Sequence, residues 1–397
     1  MEGLLHVPQE LLQLKPIAND VSVLIGENGS GKSTLLNKLS HYFLENKKEV
    51  IAIANSIHDK FDSKSRRFYS LRGRSGRNHS TSVIKKAMAN IARSDVFILT
   101  NSIRALNYVG FDPVMGFKVN NIVSDFEFLI IEYFENYDQA REVITLIDNY
   151  LHDAFYKRES VSSNGNREGI IWLEEGRFSY DLYDKYNLTN LFIWESKLRS
   201  LGVIDGIEVF LRRNGQNITM LNASSGELSL ISSIVYLSTV ITNDSVILID
   251  EPENSLHPKW QKEYVKNILD LFYNYQPKVV VATHSPLIVN GAELSVKETK
   301  VYKAEGGEFS LQNESLLNVE EIFFKFFDLA TPQNRFLSER LVRVLNVLEK
   351  NRMTLEEFQS YIERIKSESY DPKQIDVLNT IKILAENIKK LNKINEN

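Results

Sequence analysis

Short apolar runs recur along this chain, and several are followed by apolar positions at helical spacing. Residues 21–25 (VSVLI) form a β-branched run that ends in a Gly-rich turn. Leu35, Leu36, Leu39, Tyr42 and Phe43 then line one face of a predicted helix, so the segment reads strand, loop, helix. A second strand fits 49–54, and the Ser-, Gly- and Arg-rich stretch 62–80 reads as a loop. Residues 81–160 are mostly helical in pattern, most clearly 124–157 with Phe128, Ile131, Phe134, Val143, Ile144, Ile147, Leu151 and Phe155. The polar stretch 161–168 is a linker, and strand patterns return at 169–173 and 206–212. Asn214-Gly215 separates VFLRR from NITML, a hairpin signal.

Further on, a predicted helix at 227–241, a strand at 246–250 (VILID), a helix at 259–273 and a strand at 278–283 (KVVVAT) alternate. Strands that are continuously apolar and alternate with helices imply a mostly parallel sheet covered on both faces. Four helical segments follow, at 318–328, 334–350, 354–367 and 373–393. Ile322, Phe323, Phe326 and Phe327 give the first an apolar face, for packing on the core or for docking an effector.

Composition narrows the function. The 397 residues are 43% hydrophobic and 25% charged, as in ordinary globular proteins, with a net charge of −5. That balance argues against a uniformly basic nucleic-acid coat and leaves room for a local basic patch. With no cysteine, disulfides, thiolate nucleophiles and cysteine zinc sites are excluded. The N-terminus lacks a basic region and a long apolar stretch, and no apolar run approaches the ~18 residues of a membrane span, so a cytoplasmic protein is expected.

Four motifs carry chemistry. Gly26-Glu27-Asn28-Gly29-Ser30-Gly31-Lys32-Ser33-Thr34 matches G-x-x-x-x-G-K-[ST] between a strand and a helix. Its backbone N–H groups and helix N-terminus can cradle phosphates, with Lys32 on the β- and γ-phosphates, Ser33 on Mg²⁺ and Thr34 on the α-phosphate. Asp250-Glu251 ends a buried strand; Asp250 can hold Mg²⁺ or its water, and Glu251 can polarise an attacking water. His284 ends the next buried strand, 33 positions after Glu251, as a candidate γ-phosphate contact. Asn222-Ala223-Ser224-Ser225-Gly226-Glu227 opens an apolar helix 26 residues before Asp250, measured from Ser224. As local chemistry, that stretch reads equally as a plain helix cap with a first-turn carboxylate.

In this order the four motifs resemble the ATP-binding cassette class. The resemblance implies an α/β fold: a P-loop ABC-ATPase head with a mostly parallel sheet, a helical insertion and a helical C-terminal extension. It divides the chain into 1–60 and 206–310 as core, 61–205 as insertion and 311–397 as extension. It also implies ATP and Mg²⁺ as cofactors and a head-to-tail dimer. Ser224 and Gly226 of one copy would then touch the γ-phosphate held by the other. Glu251-Pro252-Glu253-Asn254-Ser255-Leu256-His257-Pro258 is similar to the branch that includes RecF-like, SMC-like and OLD-family ATPases and the Septu-type ATPases of antiphage defence. That implies control of a separate effector such as a nuclease. The alternatives are a RecF-type repair ATPase, a transporter motor and a nucleotide-locked scaffold; an intact Glu251 counts against the last.

The chain departs from the family in two places. No Gln occurs from 45 to 138, and Gln139 lies in a helical pattern, so the Q-loop glutamine has no counterpart unless Asn55 substitutes for it. The adenine-stacking aromatic also has no clear counterpart. Separately, Lys64, Arg66, Arg67, Arg72, Arg74 and Arg77 stand without an acid between them and with Phe68 and Tyr69 interleaved, a candidate contact for nucleic-acid phosphates and bases.

Overall fold

The computed structural model describes residues 7–14, 20–56, 59–72, 77–91, 96–155, 169–174, 182–243, 245–312, 319, 321–323, 335–350, 352–367, 375 and 378–386. In chain order the elements begin with α1 (Gln9–Leu12), β1 (Asp20–Ile25), α2 (Lys32–Glu45), β2 (Val50–Ala54), β3 (Phe68–Arg72), α3 (Arg77–Ile91), α4 (Val96–Val109) and β4 (Val114–Asn120). Next come α5 (Phe126–Tyr133), α6 (Tyr137–Phe155), β5 (Ile171–Glu174), α7 (Leu182–Ser200), β6 (Gly206–Arg213) and β7 (Gln216–Thr219). The remainder of the body is α8 (Ser225–Val240), β8 (Val246–Asp250), α9 (Pro258–Phe272), β9 (Lys278–Thr283), α10 (Pro286–Ser295), β10 (Lys300–Glu305) and β11 (Glu308–Gln312).

Among the described residues the larger sheet runs β11-β10-β1-β9-β8-β2-β3. Every pair in it is parallel except β10 with β11, so the fold is α/β with a mostly parallel sheet. Side-chain alternation divides its strands between two cores. Leu24, Ala52, Leu248 and Val280 face α2 and pack with Leu35, Leu36, Leu39 and Phe43. Val23, Ile53, Ile249 and Val281 join the other core, with Ile231 and Ile234 of α8, Ile268 of α9 and Ile288 of α10. Burying each such side chain stabilises the fold by about 1.5–3 kcal/mol. A second, antiparallel sheet, ordered β5-β4-β6-β7, shares that second core with α6 and α7. There Phe117 meets Phe192 edge-on at 5.1 Å. The Tyr150 hydroxyl donates to Gly169 O at 2.7 Å and accepts from Val119 N at 2.9 Å, and burial pushes it up to about 12.

Several expectations are corrected. Residues 68–72, expected within a loop, form β3 and pair in parallel with β2. Residues 114–120 lie within the stretch read as helical, yet they form β4, whose Met115, Phe117 and Val119 alternate into the core. The single helix expected at 124–157 is two, because the Asn136 side chain accepts from Asp138 N and Gln139 N and starts α6 afresh. Phe128 and Ile131, expected on its apolar face, are exposed. The helices Arg335–Glu349 and Leu355–Ser367 pack with Leu378 and Ala385 in an apolar cluster of their own. Ile322 is buried in the main core, whereas Phe326 and Phe327 lie outside the described residues. Among the described residues no helix is long and apolar enough to cross a membrane.

Candidate functional site

Four adjacent parallel strands bring the predicted residues to one edge. The register pairs Ile25 with Thr283, Ala282 with Asp250, and Asp250 with Ala54. The residues that follow these strand ends therefore share the carboxyl edge of the sheet: the loop from Gly26 after β1, Glu251 after β8, His284 after β9 and Asn55 after β2. In open parallel sheets ligands bind at that edge.

The first loop is built for an anion. Gly31 caps α2 with a φ of 95°, a left-handed conformation that disfavours any residue with a Cβ. Lys32 is buried, and its ammonium donates to Gly26 O at 2.7 Å and Glu27 O at 2.8 Å, with Ser30 Oγ at 3.5 Å. Burial lowers its pKa, while the charges of Glu251, Glu253 and Asp250 act in the opposite sense, so these groups share one electrostatic neighbourhood. Asn28, Gly29 and Thr34 face outward, and Ser30, Gly31 and Ser33 are half-buried.

Asp250 is 1% exposed, and burial pushes its carboxyl up to about 6 against a hydrogen bond from Ser33. Its Oδ1 is buried with no hydrogen-bond partner. A buried carboxylate oxygen left open beside a hydroxyl suits a divalent cation. Among the described residues no group of three or more His, Asp and Glu could hold a metal ion. Ser33 and Asp250 are thus the protein's offered pair, and the other ligands would have to come from phosphate and water. Glu251 has a φ of 50°, sparsely populated for a residue with a side chain, and its N–H donates to Ala282 O at 2.9 Å. Asn254 Nδ2 donates to its Oε2 at 3.2 Å, leaving Oε1 4.0 Å from His284 Nδ1.

Glu253, which the motif reading passed over, proves central. Its Oε1 accepts from His284 N at 2.6 Å and stands 3.0 Å from His284 Nδ1, without the alignment of a hydrogen bond to the ring. Its Oε2 is buried with no partner. The signal was the second Glu of Asp-Glu-Pro-Glu, whose position tells nothing until the chain folds back towards His284. Asn55 donates from Nδ2 to Pro252 O at 3.3 Å and from its backbone to Asp250 O, so it stands beside the carboxylates. Gln139 is at the start of α6, its N–H donated to Asn136. The His257-Pro258 pair has a local role: His257 Nδ1 caps α9 by accepting from Lys259 N at 3.2 Å, with Pro258 in the first turn.

The stretch at Ser224 forms a full capping box with Glu227, so the local reading of those residues holds. Ser224 and Ser225 remain exposed. Gly226 is buried, and a Cβ there would lie 2.2 Å from Ser255 O, so close packing alone demands glycine. Burial raises the pKa of Glu227, but the Ser224 backbone N–H and Arg213 outweigh it and leave the carboxyl below its usual range. Arg213, at the end of β6, donates from Nη2 to Glu227 Oε1 at 2.5 Å and lies over the Phe111 ring at 4.0 Å. The second sheet is thereby tied to the start of α8.

The basic stretch is more occupied than its sequence suggested. Arg67 donates to Lys47 O at 2.7 Å, and Arg72 donates to Phe61 O at 2.5 Å with Asp59 at 3.6 Å. Phe68 packs near Phe61 and Tyr69 packs on the main core, and both are half-buried. Lys64 and Arg66 are exposed; Arg74 and the side chain of Arg77 lie outside the described residues.

A family model described as "AAA domain, putative AbiEii toxin, Type IV TA system" matches residues 120–290. That stretch holds Ser224, Asp250, Glu251 and His284 but not Lys32. The chain is 27% identical over 190 residues to "Retron Vc95 probable ATPase" of Vibrio cholerae serotype O1 biovar El Tor, covering 45% of this chain and 34% of that protein. It is 31% identical over 93 residues to "Retron Ec83 probable ATPase" of Escherichia coli, covering 21% and 17% respectively. The matched stretches thus span about a third or less of these relatives' lengths. A solved structure of cbiO1 from Clostridium perfringens, part of the ABC transporter complex cbiONQ, covers 77% of this chain and 80% of its own at 12% identity and a TM-score of 0.26. That overlap is too loose to bear on the fold, which rests on the sheet pairing.

Proposed function

We propose that this chain is an ATPase of the ABC class that binds Mg·ATP between two copies of itself and uses binding and hydrolysis as a switch acting on a partner effector in antiphage defence. The observation that carries the reading is the convergence of Lys32, Ser33, Asp250, Glu251 and His284 at one sheet edge, with Asp250 Oδ1 buried and unpartnered beside Ser33. Lys32, the loop N–H groups and the start of α2 would hold the phosphates. Ser33 and Asp250 would hold Mg²⁺, which when bound supplies charge neutralisation between the phosphates. Glu251 would orient water and take up its proton, and His284, held at its backbone by Glu253, would face the terminal phosphate.

The outward position of Ser224 on a capped helix start supports completion of the site by a second copy. The ATPase reading is also supported by relatives named as probable retron ATPases, and these names agree with the defence role that the sequence resemblance implies. Lys64 and Arg66 are the exposed cations available to a nucleic acid.

The test is the size of Glu251→Gln in solution. We expect the variant to bind Mg·ATP, to double in mass with it, and to show no turnover. Lys32→Ala should lose ATP binding. Normal hydrolysis by Lys32→Ala would overturn the site, and a Glu251→Gln chain that stays monomeric with saturating Mg·ATP would overturn the sandwich.

A further inference from the structure

We propose that the outward face of α5 docks a Lys- and Arg-rich amphipathic segment of a partner protein. This stands apart from the ATPase reading, since it uses none of the residues at the sheet edge. Helix α5 is apolar on two sides. Phe126 and Ile130 are buried in the core, while Phe128 and Ile131 lie roughly half a turn away and are 66% and 50% exposed. An amphipathic helix normally carries its apolar residues on one face and turns the opposite face, polar, to water. Leaving Phe128 and Ile131 in water forgoes the stabilisation that covering them would bring. An exposed apolar patch with a polar rim is the usual mark of an interaction site.

The rim states the chemistry of the occupant. Asp125, Glu127, Glu132, Glu135, Asp138 and Glu142 are all exposed along α5 and the stretch that follows it. On α5, Glu127 and Glu132 flank Phe128 and Ile131 on either side. Within residues 125–142 the one basic residue is Arg141, whose guanidinium lies over the Tyr137 ring at 5.5 Å. So acidic a rim repels nucleic-acid phosphate and anionic lipid alike. A second copy presenting the same face would set like charge against like. A cationic segment with apolar anchors satisfies both parts of the surface.

The probe is a labelled helical peptide of Leu and Lys at amphipathic spacing, with a counterpart carrying Glu for Lys. The full chain should bind the Lys peptide, more weakly as salt rises, and should not bind the Glu peptide. Phe128→Ser/Ile131→Ser should lose affinity by about tenfold or more. Glu127→Lys/Glu132→Lys, a surface change that spares the core, should lose a similar factor of about ten. Glu298→Lys/Glu356→Lys, the same charge change elsewhere, should bind as the parent does. The proposal is overturned if the face variants bind like the parent, if both peptides bind equally, or if labelled duplex DNA binds the parent chain and Phe128→Ser/Ile131→Ser abolishes that binding. It is overturned too if sedimentation shows self-association of the parent that Phe128→Ser/Ile131→Ser abolishes, which would assign the face to a second copy.

Discussion

Asp250 is held under opposing demands. The strand that delivers it is fully buried, yet the Mg²⁺-holding role proposed for it requires a charge. Because burial pushes the folded carboxyl up to about 6, the folded chain binds more protons than the unfolded one between roughly pH 4 and pH 6. Stability of the nucleotide-free chain contributed by this group therefore falls as pH rises through that window. At neutral pH the buried charge costs about 1–3 kcal/mol. We expect Asp250→Asn to raise urea stability at pH 7 by a similar ~1–3 kcal/mol and to flatten the profile between about pH 4 and pH 6, while abolishing turnover. Identical pH profiles for parent and variant would refute the assignment. Glu253 belongs to the same scale. Glu253→Ala should lower kcat by about 10–100-fold with little change in KM for ATP, as expected of a group that orients another. Glu253→Gln keeps an acceptor for His284 N–H and should fall between; a change in KM alone would contradict the positioning role.

At the scale of elements, the link between β6 and α8 is the most telling. Arg213 reaches Glu227 inside the capping box, so one side chain joins the second sheet to the helix start that carries Ser224. Arg213 is partly exposed, and the pair is accordingly worth only about 1 kcal/mol. Arg213→Met should reduce urea stability by about that amount and leave ATP affinity intact; a turnover defect without any stability loss would show that the link matters to coupling rather than to folding. Ser224→Ala should cost a comparable ~1 kcal/mol through the lost cap. Helix boundaries in this region were the hardest to read. Asn136 breaks 124–157 by an ordinary side-chain cap, and nothing in the apolar spacing announces it.

For the whole molecule, the decisive prediction concerns completion of the site between copies. Ser224→Arg should leave ATP binding to the single chain largely unchanged and abolish hydrolysis. Mixed with Glu251→Gln chains, it should regain turnover, since the composite site that joins its own Glu251 to the intact Ser224 of the other copy is complete, while the second site lacks both base and lid. Unchanged turnover in Ser224→Arg would refute completion in trans. Hydrogen exchange offers a check on the C-terminal helices: with a cluster of their own around Leu348, Phe358 and Ile362, their amides should open independently of β1, β8 and β9.

The chain's own order of residues determined much of this. A β-branched run, a Gly-rich turn and an apolar-faced helix fold as strand, loop and helix wherever they occur, because backbone sterics and local burial decide them. Hence β1, β8, β9 and the loop around Lys32 were legible, as was the Asp250–Glu251 pair. Strand β3 was not, since its Arg and Ser read as loop until β2 offers a partner and Phe61 O engages Arg72. Nor was Glu253 legible against His284, which stands 31 residues away. Neither was the exposure of Phe128 and Ile131, whose spacing is that of a core. Register across a parallel sheet, and the choice of which apolar face is covered, depend on residues distant in the chain; only the tertiary structure brings those together.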